Sequence, residues 1–464
     1  MTGQTTERQG AQTDAERAAG EQPRPAPVAV PWPAQQWSAG VPRPALPAGA
    51  VPDAVADRVR ALLADAADEP VCAYVYEPRV AQRRAVLLRE RLPAWAEFYY
   101  AVKANSFPPV LAALAPAAGG FDVASLDEAE AALTAGGGAA RLIATGPGKT
   151  DRMLARVVEA GVGFVSVESE LELHRLDAVA RRTGRRVPVV LRVNSATGPL
   201  DGALRMDGRA TQFGIGEDRL PDAVATARRL PGVDPVGYHF HVVSGNLDAE
   251  RHAAYVLARL RWAVAAAREH GIELRVVDVG GGLGVPPYGG EPFDLDRFAA
   301  RLAAAAPPPS GVRVVFEPGR WLVAECGFYA AQVTDLKQVV GEWFAVLAGG
   351  INHFMLPALL EVALEVAVLP VARWPYACPR PEVRDTPVSL AGPLCTPEDI
   401  LARGFTADRL RVGDVVVFPM AGAYGWEFAL RGFLGHPPAR RTTAQPAFDH
   451  ASKDGAVRGE DTRS

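Results

Sequence analysis

The segment FYYAVKANSF, Phe98–Phe107, places a lysine directly after a run of aromatic and apolar residues. Such a run is typical of a buried β-strand, so Lys103 should lie at the carboxyl end of that strand. A lysine at a strand end is either a solvated charge or a reactive amine held in a pocket. The rest of the chain decides between these alternatives.

Seven more segments have strand character and are separated by Ala-, Leu- and Arg-rich stretches with helical spacing. They are FDVAS (121–125), RLIATG (141–146), FVSVES (164–169), VPVVLRVN (187–194), VGYHFHV (236–242), RVVDVG (275–280) and RVVFEP (313–318). Eight strands that alternate with helices predict an α/β fold, a (β/α)8 TIM-like barrel with insertions after its fifth strand. Beyond Glu317 the β-branched runs have few helical patterns between them, which predicts a mostly β second domain.

The composition of the two ends differs from that of the middle. Residues 1–48 are rich in proline and polar residues, and we expect a disordered tail there. Residues 49–77 should pack with the β domain, 78–330 should form the barrel, and 331–437 should form the β domain. Residues 438–464 are expected to be a second disordered tail.

Charge and cysteine content restrict the function class. The 464 residues carry a formal net charge of −4, which does not favour nucleic acid or an anionic membrane as a partner. The four cysteines have no metal-binding spacing, and no apolar run is long enough to cross a membrane. We expect a cytoplasmic enzyme that acts on a small molecule and holds no metal.

The barrel fold predicts that chemistry is located at the carboxyl ends of its strands. Polar candidates follow five of the strands: Lys103, Asp122, Arg192, His241, Glu317 and Arg320. The run Gly280–Gly282 follows another strand, and its backbone N–H groups can approach an anion closely. Each feature alone has a simpler explanation as a surface charge, a turn or a core histidine. Together they predict a site for pyridoxal phosphate.

Each part of this cofactor has a candidate partner. Lys103 can bind the aldehyde if desolvation or nearby positive charge lowers the pKa of its amine. The glycine run and Arg320 can bind the phosphate. A carboxylate beside the pyridine nitrogen keeps it protonated, and Glu317 is the candidate for this role. The imidazole of His241 can stack on the ring.

Seven motifs occur in the same order as the signatures of the ornithine/diaminopimelate decarboxylase family. They are YYAVKAN, FDVASLDE, HFHVVSGN, DVGGGLG, FEPGRWLVAECG, GPLCTPED and GAYG. Over residues 70–437 the chain therefore resembles the fold-type III pyridoxal phosphate decarboxylases.

The resemblance implies roles for individual residues. Lys103 would form the Schiff base with the cofactor, His241 would stack on its ring, and Glu317 would pair with its pyridine nitrogen. The other residues implied in binding or supporting the cofactor are Asp122, Glu128, Arg192, Ser244, Gly280, Gly281, Gly282, Gly319, Arg320 and Tyr424. The family also implies a homodimer with shared active sites, in which Cys395 enters the partner's barrel and acts as the acid that protonates the substrate carbon.

Departures from the family pattern concern the substrate. Diaminopimelate decarboxylases resemble DAGMNDLIRPALY where this chain has LAGGINHFMLPALL, so the anchors of a distal carboxylate align with Leu356 and Leu360. Thr396 and Ala348 stand where acidic residues of the family read a distal ammonium group. The chain is more similar to the subgroup that acts in siderophore and antibiotic biosynthesis. There the substrate is a citryl-substituted diamino acid or a glutamyl group on a carrier protein.

Three alternatives remain at this stage. A diaminopimelate- or ornithine-type decarboxylase of a free diamino acid has the same fold. An amino-acid racemase on this barrel would use the lysine and a tyrosine as opposed bases, although GPLCTPED and EPGR fit the decarboxylases better. A non-catalytic regulator would have lost cofactor residues, whereas Lys103, His241 and Glu317 are all present.

Overall fold

The computed structural model describes residues 43–66, 69–136, 138, 141–195, 204–205, 210–286, 290–359 and 365–445. Most of the two expected tails therefore lies outside the described residues. The same holds for Leu360 and for most of the insertion that follows the fifth barrel strand.

The strands and helices follow one another from Arg43 to Thr443. The strands are β1 (Arg43–Pro44), β2 (Cys72–Tyr76), β3 (Ala96–Ala101), β4 (Gly120–Val123), β5 (Leu142–Ala144), β6 (Phe164–Val167), β7 (Val187–Asn194), β8 (Leu204–Arg205), β9 (Ile215–Gly216), β10 (Val233–His239), β11 (Val243–Ser244), β12 (Val276–Asp278), β13 (Arg313–Phe316), β14 (Gly327–Val339), β15 (Glu342–Leu347), β16 (Ala367–Leu369), β17 (Glu382–Val383), β18 (Val388–Ala391), β19 (Ile400–Thr406), β20 (Leu410–Arg411), β21 (Val415–Phe418) and β22 (Arg440–Thr443). The helices are α1 (Asp53–Asp65), α2 (Pro78–Arg91), α3 (Pro108–Leu114), α4 (Leu126–Thr134), α5 (Asp151–Ala160), α6 (Glu170–Arg182), α7 (Leu220–Arg229), α8 (Ala249–His270), α9 (Leu295–Ala303), α10 (Arg320–Val323) and α11 (Leu356–Leu359).

Eight parallel strands form a closed barrel, which confirms the predicted fold. The order is β3, β4, β5, β6, β7, β10, β12 and β13, and the barrel closes where Phe316 of β13 pairs with Phe98 of β3. All eight predicted strands are present. The sixth begins at Val233 and ends at His239, so His241 lies just beyond it instead of within it.

The local sequence explains why the strands and helices alternate. The residues of β4, β5 and β6 are all buried, because helices cover the outer face of a barrel and side chains fill its interior. Side chains accept hydrogen bonds from backbone N–H groups at the amino ends of five helices, which satisfies donors that the helix leaves free. These N-cap residues are Ser125, Thr150, Ser169, Asp248 and Asp294.

A second sheet forms the mostly β domain. Its strand order is β1, β19, β18, β15, β14, β2 and β22, and β21 pairs with β14 off this path and carries β16 on its other edge. The long strand β14 pairs with β2 and β21 through its first half and with β15 through its second half. Because β2 precedes the barrel in the chain, this domain is assembled from both sides of the barrel sequence.

The region expected to be a tail after residue 437 begins with an ordered strand. β22, Arg440–Thr443, pairs in parallel with β2, and Thr443 is fully buried. Its polar composition is compatible with a strand at the edge of a sheet, which composition alone did not reveal. No helix in the described part of the chain is long and apolar enough to cross a membrane.

Gly237 lies where strand β10 approaches strand β12 too closely for a side chain. A Cβ atom at this position would be 1.7 Å from the carbonyl oxygen of Val276. We therefore expect Gly237→Ala to lower the free energy of unfolding by about 1–3 kcal/mol, as overpacking does. Chemical unfolding followed by circular dichroism measures this. Gly49→Ala is the matched control, since its Cβ meets no atom within 4 Å, and equal stability of the two variants would contradict the prediction.

Candidate active site

Lys103 lies in the short turn that directly follows β3, at the carboxyl end of the barrel. Its Nζ donates a hydrogen bond to Oδ2 of Asp122, which follows it on the neighbouring strand β4, at 2.5 Å. Oδ1 of Asp122 accepts the hydroxyl of Thr145 at the same distance. The Lys103 side chain is 36% exposed, whereas that of Asp122 is fully buried. The amine of Lys103 is therefore held by Asp122, while part of its side chain remains exposed to solvent.

The electrostatics of Lys103 differ from the expectation that its amine is kept partly neutral. Burial lowers the pKa of Lys103, but the carboxylates of Asp122 and Glu317 outweigh burial and raise it above its usual range. The surrounding charges are negative instead of positive. Lys103 is therefore an ammonium ion in the protein without cofactor, and the expectation of a lowered pKa is wrong for this state.

Glu317 follows the last barrel strand and is buried against two imidazoles. Its Oε2 lies 3.3 Å from Nδ1 of His241 and 3.6 Å from Nε2 of His239. Burial alone raises the pKa of the Glu317 carboxyl, but the two histidines and Lys103 hold it well below its usual range. Burial lowers the pKa of His241, and Glu317 opposes this shift only in part. The site thus contains an ionised carboxylate beside a neutral imidazole.

Asp278, at the end of β12, is a site residue that the sequence argument did not single out. Its Oδ1 accepts the N–H of Gly280 at 2.9 Å. Burial, and after it the charge of Glu317, raises the pKa of the Asp278 carboxyl well above its usual range. The protonated form of Asp278 is therefore favoured beside the ionised Glu317. The position of Asp278, two residues before Gly280, was the available signal.

The glycine run has the close approach and the backbone conformation that only glycine permits. Gly280 and Gly282 have φ angles of +70° and +99°. A Cβ on Gly281 would lie 2.2 Å from the carbonyl oxygen of Glu317. The N–H of Gly281 points at Nδ1 of His241 at 3.4 Å. The run therefore links the Glu317 strand to the His241 loop in a cradle that any side chain would fill.

Arg320 and Tyr424 lie together beside the lysine turn. The guanidinium of Arg320 is 4.8 Å from the centre of the Tyr424 ring, and burial lowers its pKa. No carboxylate within the described residues pairs with this arginine. A Cβ on Gly319 would lie 2.9 Å from the Cβ of Ala104, so the arginine starts immediately beside the lysine turn. A partly buried cation without a carboxylate is a ready site for a phosphate group.

The β domain closes onto the barrel at the lysine turn through the segment that contains Tyr424. The N–H of Tyr424 donates to the carbonyl of Ala104 at 2.7 Å, and the side-chain amide of Asn105 donates to the carbonyl of Gly422 at 2.8 Å. Glu427 accepts hydrogen bonds from the backbone and hydroxyl of Ser106. Tyr424 has a φ of +59°, a strained conformation that these contacts hold in place.

Three of the expected supporting residues are located around this centre. Arg192 donates to Glu168 at 2.8 Å and lies over the ring of Phe213. Glu128 accepts the N–H of Ala124, and burial raises its pKa. Ser244 lies in β11, two residues beyond Val242 on the loop after His241. Glu168 is a further partner that the sequence argument missed, and its position at the end of β6 was the signal.

Cys395 is not brought to this centre within one chain. Its thiol is exposed, and no hydrogen bond or ion pair joins it to Lys103 in the part of the chain that the structure describes. Asp399 organises the loop, because its two carboxylate oxygens accept the N–H groups of Ile351 and Leu394 at 2.7 and 2.8 Å. The thiol therefore lies exposed on a loop of the β domain that Asp399 holds in place.

Comparison with known proteins identifies the family. A model of the pyridoxal binding domain of pyridoxal-dependent decarboxylases matches residues 80–324. The chain belongs to this family. It is 37% identical to a 2-[(L-alanin-3-ylcarbamoyl)methyl]-2-hydroxybutanedioate decarboxylase of Staphylococcus aureus, over 80% of this chain and 94% of the relative. It is 28% identical to an L-glutamyl-[BtrI acyl-carrier protein] decarboxylase of Niallia circulans, over 78% and 86% of the two chains.

A solved structure shows the same architecture. A diaminopimelate decarboxylase of Helicobacter pylori, determined in complex with L-lysine, superposes with a TM-score of 0.71 and 25% identity. The match covers 83% of this chain and 93% of that chain. The protein is therefore a pyridoxal phosphate-dependent amino-acid decarboxylase. The expectations of the cofactor and of the reaction class are confirmed.

Three residues of the decarboxylase have structural features that suit the binding of the cofactor. Oε1 of Glu317 is buried and accepts no hydrogen bond from the described residues, so it has room for a donor such as a protonated ring nitrogen. Arg320 has no carboxylate partner and suits the phosphate. Lys103 is the amine with an accessible side between them. The assignment of individual roles to these residues stays a prediction.

Replacing Glu317 with Gln should leave the cofactor bound and reduce kcat by about two orders of magnitude or more. A neutral amide cannot hold the proton on the ring nitrogen of the cofactor. Steady-state assays of carbon dioxide release measure the effect, with cofactor content determined after denaturation. Glu325→Gln is the control, since this carboxylate lies eight residues after Glu317 and forms a partly exposed pair with Arg84. Rates for Glu317→Gln close to those of the control would show that the ring is activated in another way.

Proposed function

We propose that the decarboxylase acts on an α-amino acid whose side chain carries an acyl or carboxylate-bearing substituent in place of a free ammonium group. The proposal rests on the hydrogen bonds and residue types of the loop 395–399. Both of its acidic residues already accept hydrogen bonds: Asp399 from two backbone N–H groups and Glu398 from the Thr396 hydroxyl. Thr396 and Ala348 bring no carboxylate. A distal ammonium beside these two positions would lose water without gaining a charged partner from them, which is unfavourable.

The relatives support this substrate class. The name of the Staphylococcus aureus relative describes a 3-aminoalanine whose side-chain nitrogen is acylated by a citrate-like hydroxyacid. The Niallia circulans relative acts on a glutamyl group attached to a carrier protein. Both substrates lack a free side-chain ammonium group. A siderophore or another natural product is the pathway class that fits such substrates, and a carrier-bound substrate is the second candidate.

The residues of the site divide the work of the reaction. Bound pyridoxal phosphate supplies an electron sink for the electron pair released when the bond between Cα and the carboxylate breaks. Lys103 supplies the amine that holds the aldehyde carbon, and Glu317 holds the proton on the ring nitrogen. Arg320, Tyr424 and the glycine run bind the phosphate. Carbon dioxide leaves, a proton takes its place on Cα, and the product is an amine.

The proton for Cα is assigned to Cys395 of a second copy of the chain. Support comes from the exposed thiol, which has no hydrogen bond or ion pair with Lys103 of its own chain among the described residues, and from apolar side chains exposed after Tyr424. Phe428, Phe433 and Leu434 are 43%, 43% and 51% exposed, which is typical of a surface that a partner covers. The protein is thus proposed to be a homodimer with shared sites. A cytoplasmic location is proposed because all four cysteines are free thiols.

A substrate panel tests the proposed side-chain class. With citryl-substituted 2,3-diaminopropionate, ornithine, diaminopimelate and glutamyl-carrier protein, we expect kcat/KM for an acylated substrate to exceed that for free diamino acids by about two orders of magnitude or more. The double variant Ala348→Asp and Thr396→Asp should shift this ratio toward ornithine, because it restores carboxylates. Preference of the unmodified enzyme for a free diamino acid would refute the proposal, and epimer formation without carbon dioxide would indicate a racemase.

Mixing two inactive variants tests the shared site. Lys103→Ala and Cys395→Ala should each be nearly inactive, because one lacks the amine and the other lacks the acid. After subunit exchange, one site of each heterodimer has both groups intact, so activity should return to about a quarter of the native sites. Native mass spectrometry confirms that heterodimers form. If they form without regaining activity, Cys395 acts in its own subunit or has no catalytic role.

A further inference from the structure

His239 is a buried histidine beside the site whose role the cofactor contacts do not explain. It ends strand β10, and its ring is only 1% exposed. Its Nδ1 lies 2.7 Å from the hydroxyl oxygen of Ser166 on β6, and its Nε2 lies 3.6 Å from Oε2 of Glu317. Nε2 makes no hydrogen bond with the described residues. This buried, unpartnered nitrogen is thus directed at the carboxylate assigned to the cofactor ring.

The contact with Ser166 determines where the proton of the imidazole is located. A neutral imidazole has one N–H, and the hydrogen bond made by one nitrogen decides the state of the other. If Nδ1 carried the proton, the lone pair of Nε2 would face the negative carboxylate of Glu317, which is unfavourable. The Ser166 hydroxyl therefore donates to Nδ1, and Nε2–H faces Glu317.

Among the neighbours of Glu317, His239 is best placed to donate a hydrogen bond to its carboxylate. His241 has only its Nδ1 near Glu317, and the N–H of Gly281 also points at that nitrogen, so the two contacts compete for it. The ammonium of Lys103 is hydrogen-bonded to Asp122. Among the described residues, Nε2 of His239 has no competing hydrogen-bond partner. Its N–H is therefore the one imidazole donor in this group that is free to serve Glu317 alone.

We propose that His239, oriented by Ser166, is a positioning residue that holds the Glu317 carboxylate ionised and directed at the ring nitrogen of the cofactor. This inference rests on the proposed role of Glu317. The strand geometry supports it, because successive side chains of a strand point to opposite sides. Tyr238, the preceding residue, points to the helix layer, where its hydroxyl bonds Nδ1 of His270 at 3.0 Å. His239 therefore points into the barrel.

The test compares four variants by the affinity for pyridoxal phosphate and by the visible spectrum of the bound cofactor. His239→Leu removes the donor at similar volume and should raise the Kd of the cofactor by about tenfold, the usual effect of losing one hydrogen bond to a charged group, and shift its absorption. His239→Gln keeps an N–H at the place of Nε2 and should restore most of the affinity and the native spectrum. Ser166→Ala leaves the ring without its tautomer-fixing partner and should raise Kd about threefold.

Tyr238→Phe is the matched control on the same strand. It removes a hydrogen bond on the helix side, so it should lower the thermal unfolding midpoint without changing Kd or the spectrum. If His239→Leu fails to fold, Ser166→Ala and His239→Gln still decide the question. Native Kd and spectrum in both His239→Leu and Ser166→Ala would overturn the proposal. Glu317→Gln, measured alongside, separates the two levels: if it too leaves Kd and spectrum unchanged, the role of Glu317 fails and not only that of His239.

Discussion

An ionised carboxylate buried at the end of the last barrel strand is the constraint on which the site depends. Removing the charge of Glu317 from water is costly unless donors and cations surround it. The surrounding groups reduce this cost. Two imidazoles face the carboxylate, Lys103 adds a positive charge, and burial together with the charge of Glu317 raises the pKa of Asp278, which disfavours a second negative charge. These groups come from the ends of three other strands, β3, β10 and β12, so the carboxylate requires the closed barrel.

The second domain supplies contacts that hold the lysine turn of the barrel in place. The lysine turn is held from outside by hydrogen bonds to the segment around Tyr424, and the same tyrosine ring packs on Arg320. The end of the site proposed to bind the phosphate therefore lies at the boundary of the two domains. A change in the β domain that moves this segment is expected to affect the barrel site through the backbone, without altering any barrel side chain.

The residues proposed to select the substrate and those proposed to carry the chemistry belong to different domains. The groups proposed to activate the cofactor lie on barrel strands, whereas Ala348, Thr396 and Cys395 lie on loops of the β domain that Asp399 fastens together. Relatives with different substrates can thus share the barrel and differ in these loops. This division agrees with the identity of 37% to one decarboxylase of an acylated amino acid and the shared fold with a diaminopimelate decarboxylase.

The sequence by itself determined the barrel, the cofactor and the reaction class, because strand periodicity and motifs such as VKAN, GGG and EPGR are local signals. It also placed Lys103, His241 and Glu317 at one rim, since carboxyl ends of parallel strands meet there. It gave the wrong sign for the pKa of Lys103 and missed Asp278, Glu168 and the strand β22. Those features depend on which buried groups face each other across strands far apart in sequence. Only the tertiary structure fixes such distances, and electrostatic interactions in a buried site change steeply with them.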